Sequence, residues 1–490
     1  MSNLSELLPA GAGAKSADFV ASGTLGSGVT VALKADGTVS AVSSTANPAS
    51  FGSLAQVEPN LTTPYKNCAI YPNSTTVVFV YGDSGNSYYP TATVGIVSGT
   101  TITWGTPVVM ESVACYGGAQ VVYSNTDSIY IIVWRNNTSN NMRGVKATLS
   151  GTTFTFGSIA TLGSSYGVFQ LAFHQSKNIG TMIYIRSDTG YLSYVNIEMG
   201  NGTAMSLASE KTLVGANTSD LLDIDIYQAG TTGCITYRPA SPASQVLLAF
   251  QYGADYNSSF SVGSGITVAS SIYYSAIAIN QDTGYTLVLY KTTSYTSAMQ
   301  AKVYSGISSG TTLTLASTNT SLISEAGLNF NAFYMEGPQL LCICYDPGSN
   351  ASPRTYKISD GTFASTTVSI SGTTSATNIA ASSTAGAFAA PSTGTTAIMV
   401  SHDRDGTNTT DGQIYTSPSS NNTSFIGITD QAIANTATGA VIVQGGVSDK
   451  VTGLTTGSDY YVQANGTLST TVSSVPAGRA LSSTSILLEG

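Results

Sequence analysis

Short apolar segments recur along this chain about every fifty residues, separated by turns rich in Gly, Ser and Thr. The runs Ile129–Trp134 and Thr286–Tyr290 are continuously apolar, which is typical of a strand buried on both faces. The turn Ser98-Gly-Thr-Thr recurs from Ser150 and again from Ser309. Its glycine supplies the positive φ of a tight hairpin. The pattern predicts an all-β protein built from repeated short strands.

Each repeat contains four predicted antiparallel strands, which at this period is typical of a β-propeller blade. The sequence predicts blades at 65–112, 113–165, 166–216, 217–271, 272–326 and 327–381, and a seventh at 382–417 with only three recognisable strands. The segment Ala49-Ser-Phe-Gly-Ser-Leu-Ala resembles a fourth strand without a repeat before it. We therefore predict a seven-bladed propeller closed by this N-terminal strand, because an open ring would expose sheet edges and apolar faces. An open solenoid or two fused sandwiches remain alternatives.

Three domains are predicted on this basis. Residues 1–46 form a leader, for which the functional interpretation is a docking peptide, followed by a hairpin with an Asp36-Gly37 turn. Residues 47–420 form the propeller, with 47–60 as its closing strand, and residues 421–490 form a small C-terminal β module.

Composition narrows the possible functions. Charged residues are only 9% of the chain, the net charge is −9, and no cluster of Lys or Arg occurs, which argues against nucleic-acid binding. No stretch of about 20 apolar residues could span a bilayer, and no signal peptide is recognisable. The spacings of the five cysteines match no zinc site, so we expect buried free thiols and neither a metal nor a cofactor.

The candidate ligand-binding residues lie where predicted second strands end and first strands begin, because these loops share one face of a propeller. Tyrosine offers a stacking face with a hydroxyl, and arginine a planar donor for carboxylates or sugar hydroxyls. The alternative is that charge marks the point where a buried strand reaches solvent. The candidates are Tyr65, Tyr116, Tyr166, Tyr274, Arg135, Arg186, Arg238, Lys291, Asp346 and His402.

Catalytic motifs are absent from the sequence. The chain has two histidines, His174 and His402, and contains no nucleophile elbow, zinc-binding helix or P-loop. A glycosidase would need two positioned carboxylates, for which Asp188, Asp282, Asp346 and Asp405 are the available residues. We predict that the protein is not an enzyme.

Three segments resemble proteins of tailed phages. Residues 75–100 resemble a propeller repeat of tail-fibre-like and adhesin-like proteins of marine phages, and Met1-Ser-Asn-Leu-Ser-Glu-Leu-Leu-Pro is similar to the leader of phage fibre proteins. Segments such as Tyr460-Tyr-Val-Gln and Gly478-Arg-Ala-Leu-Ser-Ser resemble the C-terminal β module of the same proteins. The resemblance implies a virion protein made in the host cytoplasm. Its partners would be tail, portal-proximal or capsid proteins, a host-surface glycan or receptor, and further copies of itself.

Three functions follow from these observations. The first is a non-enzymatic tail or head fibre protein that displays a propeller for adsorption to the host surface, through glycan binding. The second is a purely architectural capsid decoration or tail component. The third, from a different class, is a polysaccharide-degrading enzyme on a propeller scaffold.

Overall fold

The computed structural model describes residues 15–44, 46–58, 68–200, 202–219, 223–241, 244–270, 272, 274–292, 298–324, 327–336, 338–347, 355–363, 366–380, 387–390, 394–402 and 410–489. Within these ranges the regular structure is β-strand, apart from single 3-10 turns at Ser84–Asn86 and Asn422–Ser424. The all-β prediction is confirmed. Throughout the same ranges, no helix is long and apolar enough to cross a membrane.

The chain divides into two compact units. Residues 1–49 together with 418–490 form one, called here the terminal unit, and residues 50–417 form the other, called the central unit. The five N-terminal strands of the described chain are divided between the two units. They are β1 (Ser16–Val20), β2 (Thr30–Leu33) and β3 (Val39–Ala41) in the terminal unit, and β4 (Ser50–Phe51) and β5 (Ala55–Glu58) in the central unit.

The central unit consists of consecutive antiparallel sheets in which most sequence neighbours are also hydrogen-bonded neighbours. The first sheet contains β6 (Cys68–Asn73), β7 (Thr76–Asp83), β8 (Tyr89–Ser98), β9 (Thr101–Trp104) and β10 (Val108–Val109). The next contains β11 (Cys115–Ser124), β12 (Ile129–Asn136), β13 (Asn141–Ser150), β14 (Thr153–Phe156), β15 (Ala160–His174), β16 (Ile179–Arg186), β17 (Tyr191–Glu198), β18 (Ser206–Leu207) and β19 (Lys211–Asn217).

Strand β15 belongs to two predicted blades at once. Its first part pairs with β13, up to Ser164, and its last part pairs with β16, from Phe169 to His174. The predicted boundary between residues 165 and 166 therefore lies inside a continuous strand. The register shifts between Ser165 and Phe169, so a bulge redirects the chain where a turn was expected.

Four further sheets complete the central unit. One contains β20 (Asp223–Tyr227), β21 (Thr232–Tyr237), β22 (Ser244–Gln251), β23 (Ser261–Val262) and β24 (Ile266–Ser270). The next two contain β25 (Tyr274–Ile279), β26 (Thr286–Lys291), β27 (Met299–Ser305) and β28 (Thr314–Ile323), then β29 (Gly327–Met335), β30 (Leu340–Pro347), β31 (Thr355–Phe363) and β32 (Val368–Ala380). The last sheet contains β33 (Ala387–Ala389), β34 (Thr396–His402) and β35 (Thr410–Thr416).

The last sheet receives its remaining strands from the start of the central unit. Strands β4 and β5 pair antiparallel with β35, with Phe51 opposite Tyr415 and Ala55 opposite Gly412. The predicted pairing of this N-terminal segment is confirmed. Each sheet is itself open, and the predicted count of seven blades in a closed ring stays a prediction.

Apolar side chains between successive sheets form the core of the central unit. Every residue of β12 is buried, as are all residues of β7 after the first, which agrees with their continuously apolar sequences. One buried cluster joins the first sheet to the last, through residues such as Phe79, Ile102, Ile398 and Ile414. The indole of Trp104 also donates a hydrogen bond of 3.1 Å to the carbonyl of Ala55 on β5.

The terminal unit contains two five-stranded sheets. Its further strands are β36 (Phe425–Thr429), β37 (Thr438–Val443), β38 (Val447–Ser448), β39 (Asp459–Val462), β40 (Leu468–Ser469), β41 (Pro476–Ala480) and β42 (Ile486–Leu488). The predicted hairpin is present as β2 and β3, with Gly37 at a φ of +80° in its turn. However, β1 and β2 pair with β37 and β36, so the predicted domains 1–46 and 421–490 contribute to one sheet. The leader from residue 1 to 14 lies outside the described residues.

Candidate functional site

A cavity of about 470 Å³ lies within the central unit. Its walls come from the first strand of each successive group, at or beside β6, β11, β15, β20, β25, β29 and β33. Most lining residues lie towards the C-terminal ends of these strands, as Tyr71, Tyr123 and Phe173 do. We take this cavity as the candidate functional site, because concave sites with convergent polar groups are where proteins usually bind small ligands.

First strands such as β25 have one edge paired with their own sheet and one edge without a strand partner among the described residues. Strand β15 differs, because its first part also pairs with β13. On β25, alternation of the ladder directs the amides of Ala276, Ala278 and Asn280 towards β26 and those of Ile277 and Ile279 away from it. Backbone groups left unpaired inside a protein are destabilising, so such an edge must be satisfied by other groups. In this protein, side chains from neighbouring sheets satisfy it.

Three glutamines, 53 residues apart in succession, bridge neighbouring first strands in the same way. The Oε1 of Gln228 accepts from the amide of Gln175 at 2.8 Å, and its Nε2 donates to the carbonyl of Phe173 at 2.7 Å. Gln281 repeats this arrangement with the amide of Gln228 at 2.8 Å and the carbonyl of Ile226 at 2.9 Å. These bonds fix the wall of the cavity strand by strand.

Gln175 makes the corresponding bridge to the strand before it, accepting from the amide of Asn125 at 3.2 Å and donating to the carbonyl of Tyr123 at 2.9 Å. Nearer the N-terminal ends of these strands, the side-chain amide of Gln120 on β11 joins the backbone N–H of Leu171 to the carbonyl of Phe169. The wall is therefore bridged by glutamine at two levels, and at this second level the glutamine lies on the preceding strand.

Two aspartates take the corresponding role between β20 and β25. The Oδ2 of Asp223 accepts from the amide of Ile277 at 2.9 Å, and the Oδ2 of Asp225 accepts from the amide of Ile279 at 2.7 Å. Their Oδ1 atoms accept from the amides of the residues that follow each of them on β20. The two-residue spacing of the carboxylates matches the spacing of the outward amides, so two side chains imitate the carbonyls of a missing strand.

The electrostatic character of the cavity is acidic. Burial raises the pKa of Asp223 to about 6 and that of Asp225 to about 7. Burial also raises the pKa of Glu336, with a further contribution from the charge of Asp282. Among the described residues that line the cavity there is no Lys, Arg or His. An anionic ligand would therefore be repelled.

The remaining lining groups are aromatic rings and amides. Rings bind apolar faces of ligands, while carboxylates, side-chain amides and tyrosine hydroxyls exchange hydrogen bonds with ligand hydroxyls. No group of three His, Cys, Asp or Glu side chains suited to a metal ion occurs in the described part of the chain. The rings are those of Tyr71, Tyr123, Phe173, Phe333, Tyr334 and Phe388.

Of the sequence-predicted ligand residues, Tyr274 and Lys291 lie at the other end of these strands. Tyr274 begins β25 and stands opposite Lys291 at the end of β26, whereas the cavity residues of β25 lie towards its end. None of the ten predicted residues is among the described residues that line the cavity. Tyr65 lies outside the described residues, and the side chains of Tyr116, Tyr166, Asp346 and His402 lie outside the described side chains.

The predicted cations make contacts within the protein. Arg135 is 7% exposed and donates to the side chain of Asn140. Arg186 forms ion pairs with Asp188 and Glu210.

Arg238 donates to the hydroxyl of Ser219 at 2.8 Å and to the carbonyl of Ile272 at 3.2 Å. Lys291 is 1% exposed, and burial lowers its pKa. Ligand binding by the ten sequence-predicted residues remains a prediction.

Sequence reasoning missed the residues that shape the cavity. The available signal was a glutamine directly after a predicted first strand at a constant spacing, in Gln175, Gln228 and Gln281. A second signal was the alternation Asp223-Ile-Asp-Ile, which reads as an ordinary strand with one solvent-facing side.

Comparison with known proteins gives structural similarity alone. No protein-family model matches the sequence, and no curated protein matches it. Similar solved structures include the β-propeller domain of the Trilobed protease from Pyrococcus furiosus, at 9% identity and a TM-score of 0.39, over 69% of this chain and 91% of that one. The polysaccharide lyase Uly1 is 8% identical with a TM-score of 0.48, over 82% of this chain and 99% of the lyase.

A lectin from Aleuria aurantia, in complex with Fucα1-6GlcNAc, is 12% identical with a TM-score of 0.39, over 64% of this chain and 97% of the lectin. The similar structures are thus β-propeller proteins, and they include both enzymes and lectins. With TM-scores below 0.5, they carry no argument about what this chain binds. The prediction that it is not an enzyme is not confirmed, and none of these findings supports a phage origin.

Proposed function

We propose that the central unit is a seven-bladed β-propeller that binds a neutral glycan in its central cavity, without chemical turnover. Pairing of β4 and β5 with β35 supports ring closure, as does the buried cluster that joins the first and last sheets. A single cavity lined by all the first strands is what a closed ring would produce.

The composition of the cavity wall is the observation that supports a glycan as the ligand. It combines aromatic rings with hydrogen-bonding groups that include carboxylates, and its described residues include no cation. Sugars present apolar faces and many hydroxyl groups, and both find partners on such a wall. A volume of about 470 Å³ is of the size that holds a small ligand.

The biological setting we propose is a tailed-phage particle, on which this protein would be a tail or head fibre that adsorbs to host-surface glycan. The support for this setting is the resemblance of both chain ends and of one repeat to phage fibre proteins. The terminal unit would then contact other virion proteins. A purely architectural role for the whole chain is the second candidate, favoured by the many bonds that engage the predicted cations within the fold.

The test is a glycan array probed with the full chain and matched variants. Phe333→Ala removes an aromatic ring from the cavity, and Leu315→Ala, which changes an exposed side chain on β28, is its control. We expect Phe333→Ala to weaken binding of the recognised glycan by about tenfold, the order of a lost stacking contact, and Leu315→Ala to leave binding unchanged.

The remaining outcomes identify the other candidates. Loss of binding in Arg186→Ala but not in Phe333→Ala would move the site to the opposite end of the strands and contradict the cavity proposal. An array without any bound glycan would favour the architectural role. Release of oligosaccharide during incubation, abolished by an aspartate substitution, would identify the polysaccharide-degrading enzyme.

A further inference from the structure

The contact between β20 and β25 differs from the other contacts of the cavity wall because two carboxylates add to the glutamine bridge that Gln281 makes there. Each oxygen of Asp223 and of Asp225 accepts one backbone N–H, so all four oxygens face donors at 2.7–2.9 Å. A glutamine in such a position keeps its hydrogen-bonding pattern at any pH. A carboxylate changes its pattern when it gains a proton, because one acceptor oxygen becomes a donor.

The titratable groups around this pair are few. On β20 the charge of Asp223 acts on Asp225, and Tyr227 is the other titratable side chain of the strand. Glu336 beside β29 adds a further negative charge that acts on Asp225. The thiol of Cys234 on β21 lies close enough to respond to the charge of Asp225.

On the other strands packed against β20, the described titratable side chains are those of Tyr237, Tyr274 and His174. None of the three contributes to the pKa shift of either aspartate. No positive charge among these residues therefore stabilises the ionised form of the pair.

We propose that Asp223 and Asp225 form a proton-operated latch between β20 and β25 that regulates ligand binding in the cavity. The regulatory part rests on the proposed function of the cavity. When both carboxylates are ionised, each holds its two amides by charge-assisted hydrogen bonds, which are about twice as strong as neutral ones. When a carboxyl group is protonated, one of its two oxygens carries a hydrogen that opposes an N–H, and one amide bond is weakened.

The pH range of the latch follows from the burial of the two side chains. The pKa values of about 6 and about 7 place protonation in mildly acidic solution, well above the ordinary range of an aspartate. Ionised carboxylates are also better acceptors for ligand hydroxyls. The cavity should therefore bind a hydroxylated ligand more tightly above neutral pH than at about pH 5.5.

The ligand-independent test is a pH titration of the full chain labelled with ¹⁵N-isoleucine. The amide signals of Ile277 and Ile279 would be assigned by their disappearance in Ile277→Val and Ile279→Val. We expect both amide protons to shift between about pH 5 and 8, with midpoints near 6 and 7. Asp225→Asn should abolish the shift at Ile279 and preserve a shift at Ile277.

Glu336→Gln is a second variant that leaves both bridges intact. It removes a neighbouring negative charge and should lower the midpoint at Ile279. Amide protons of Ile277 and Ile279 that do not shift, or that shift with a midpoint near 4 as for an exposed aspartate, would overturn the latch.

A second measurement tests the regulation itself. The neutral glycan bound on the array would be titrated into the protein at about pH 5.5 and about pH 8. Binding should be weaker at the lower pH by about three- to tenfold, the effect of one net hydrogen bond, and the double variant D223N/D225N should show no such difference. If the amide protons of Ile277 and Ile279 shift with pH but glycan binding does not change, the proposed regulation of binding would be overturned. If no glycan binds at all, the proposed function would be contradicted, and the amide titration would still test the latch.

Discussion

The glutamine bridges predict a specific loss of stability when one of them is removed. The side chain of Gln228 connects the backbone of β20 to that of β15 through two hydrogen bonds, of 2.8 and 2.7 Å. Gln228→Met keeps a similar volume and removes both bonds. The amide of Gln175 and the carbonyl of Phe173 then lose their partners, at a penalty of about 1–3 kcal/mol each. Because both groups lie beside a cavity that admits water, we expect the lower part of that range, about 2 kcal/mol in total.

The assay is urea unfolding followed by tryptophan fluorescence. The chain has two tryptophans, Trp104 and Trp134, and both lie in the central unit, so the signal reports the unit that contains the bridge. The lost stability should appear as a lower urea concentration at the unfolding midpoint. The dependence of the unfolding free energy on urea concentration should not change, which indicates that the denatured state is unaltered.

The control is another glutamine on a strand of the same unit. Gln251 is exposed at the end of β22 and makes one bond of 3.1 Å with the hydroxyl of Thr231. Gln251→Met should change stability by less than about 0.5 kcal/mol, as surface substitutions usually do. If Gln228→Met lowered the midpoint no more than Gln251→Met does, side-chain satisfaction of the strand edge would not be what stabilises the cavity wall.

Three further predictions concern ring closure and pH. Gly52→Ala should destabilise the central unit by about 2 kcal/mol or more, because a Cβ there would lie 1.9 Å from a backbone oxygen. Its control is Gly215→Ala, which has open space around the added Cβ and should leave stability unchanged in the same urea assay. The raised pKa values of Asp223 and Asp225 mean that the folded state retains protons that the unfolded chain has lost. The free energy of unfolding should therefore fall as pH rises from about 4 to 7, by at most about 1.4 kcal/mol for each unit of pKa shift. The fall should be smaller in D223N/D225N. Burial lowers the pKa of His174, so its contribution has the opposite sign, and His174→Phe should reduce the loss of stability below about pH 6.5.

The repeated part of the fold was predictable because its signals are local. A run such as Ile129–Trp134 is apolar at every position, and only a strand covered on both faces needs that composition. The pairing of β4 and β5 with β35 was predictable for a related reason, since the segment Ser50–Phe51 matches the fourth strand of a repeat that lacked one. The joining of β1 and β2 to β36 and β37 has no such signal, because nothing in residues 16–33 indicates partners that lie 393 to 426 positions further along the chain.

The candidate site escaped prediction because its determinants are relations between strands and not properties of one segment. Asp223 and Asp225 look like the solvent-facing positions of an alternating strand, and in an isolated sheet they would be. Their role depends on the amides of Ile277 and Ile279, which point away from β26 and lie 54 residues further along the chain. The same dependence applies to the glutamine bridges. An amide side chain satisfies both a donor and an acceptor, whereas a carboxylate satisfies donors only. The contact of β20 with β25 therefore combines a glutamine bridge with two carboxylate bridges that a proton can alter.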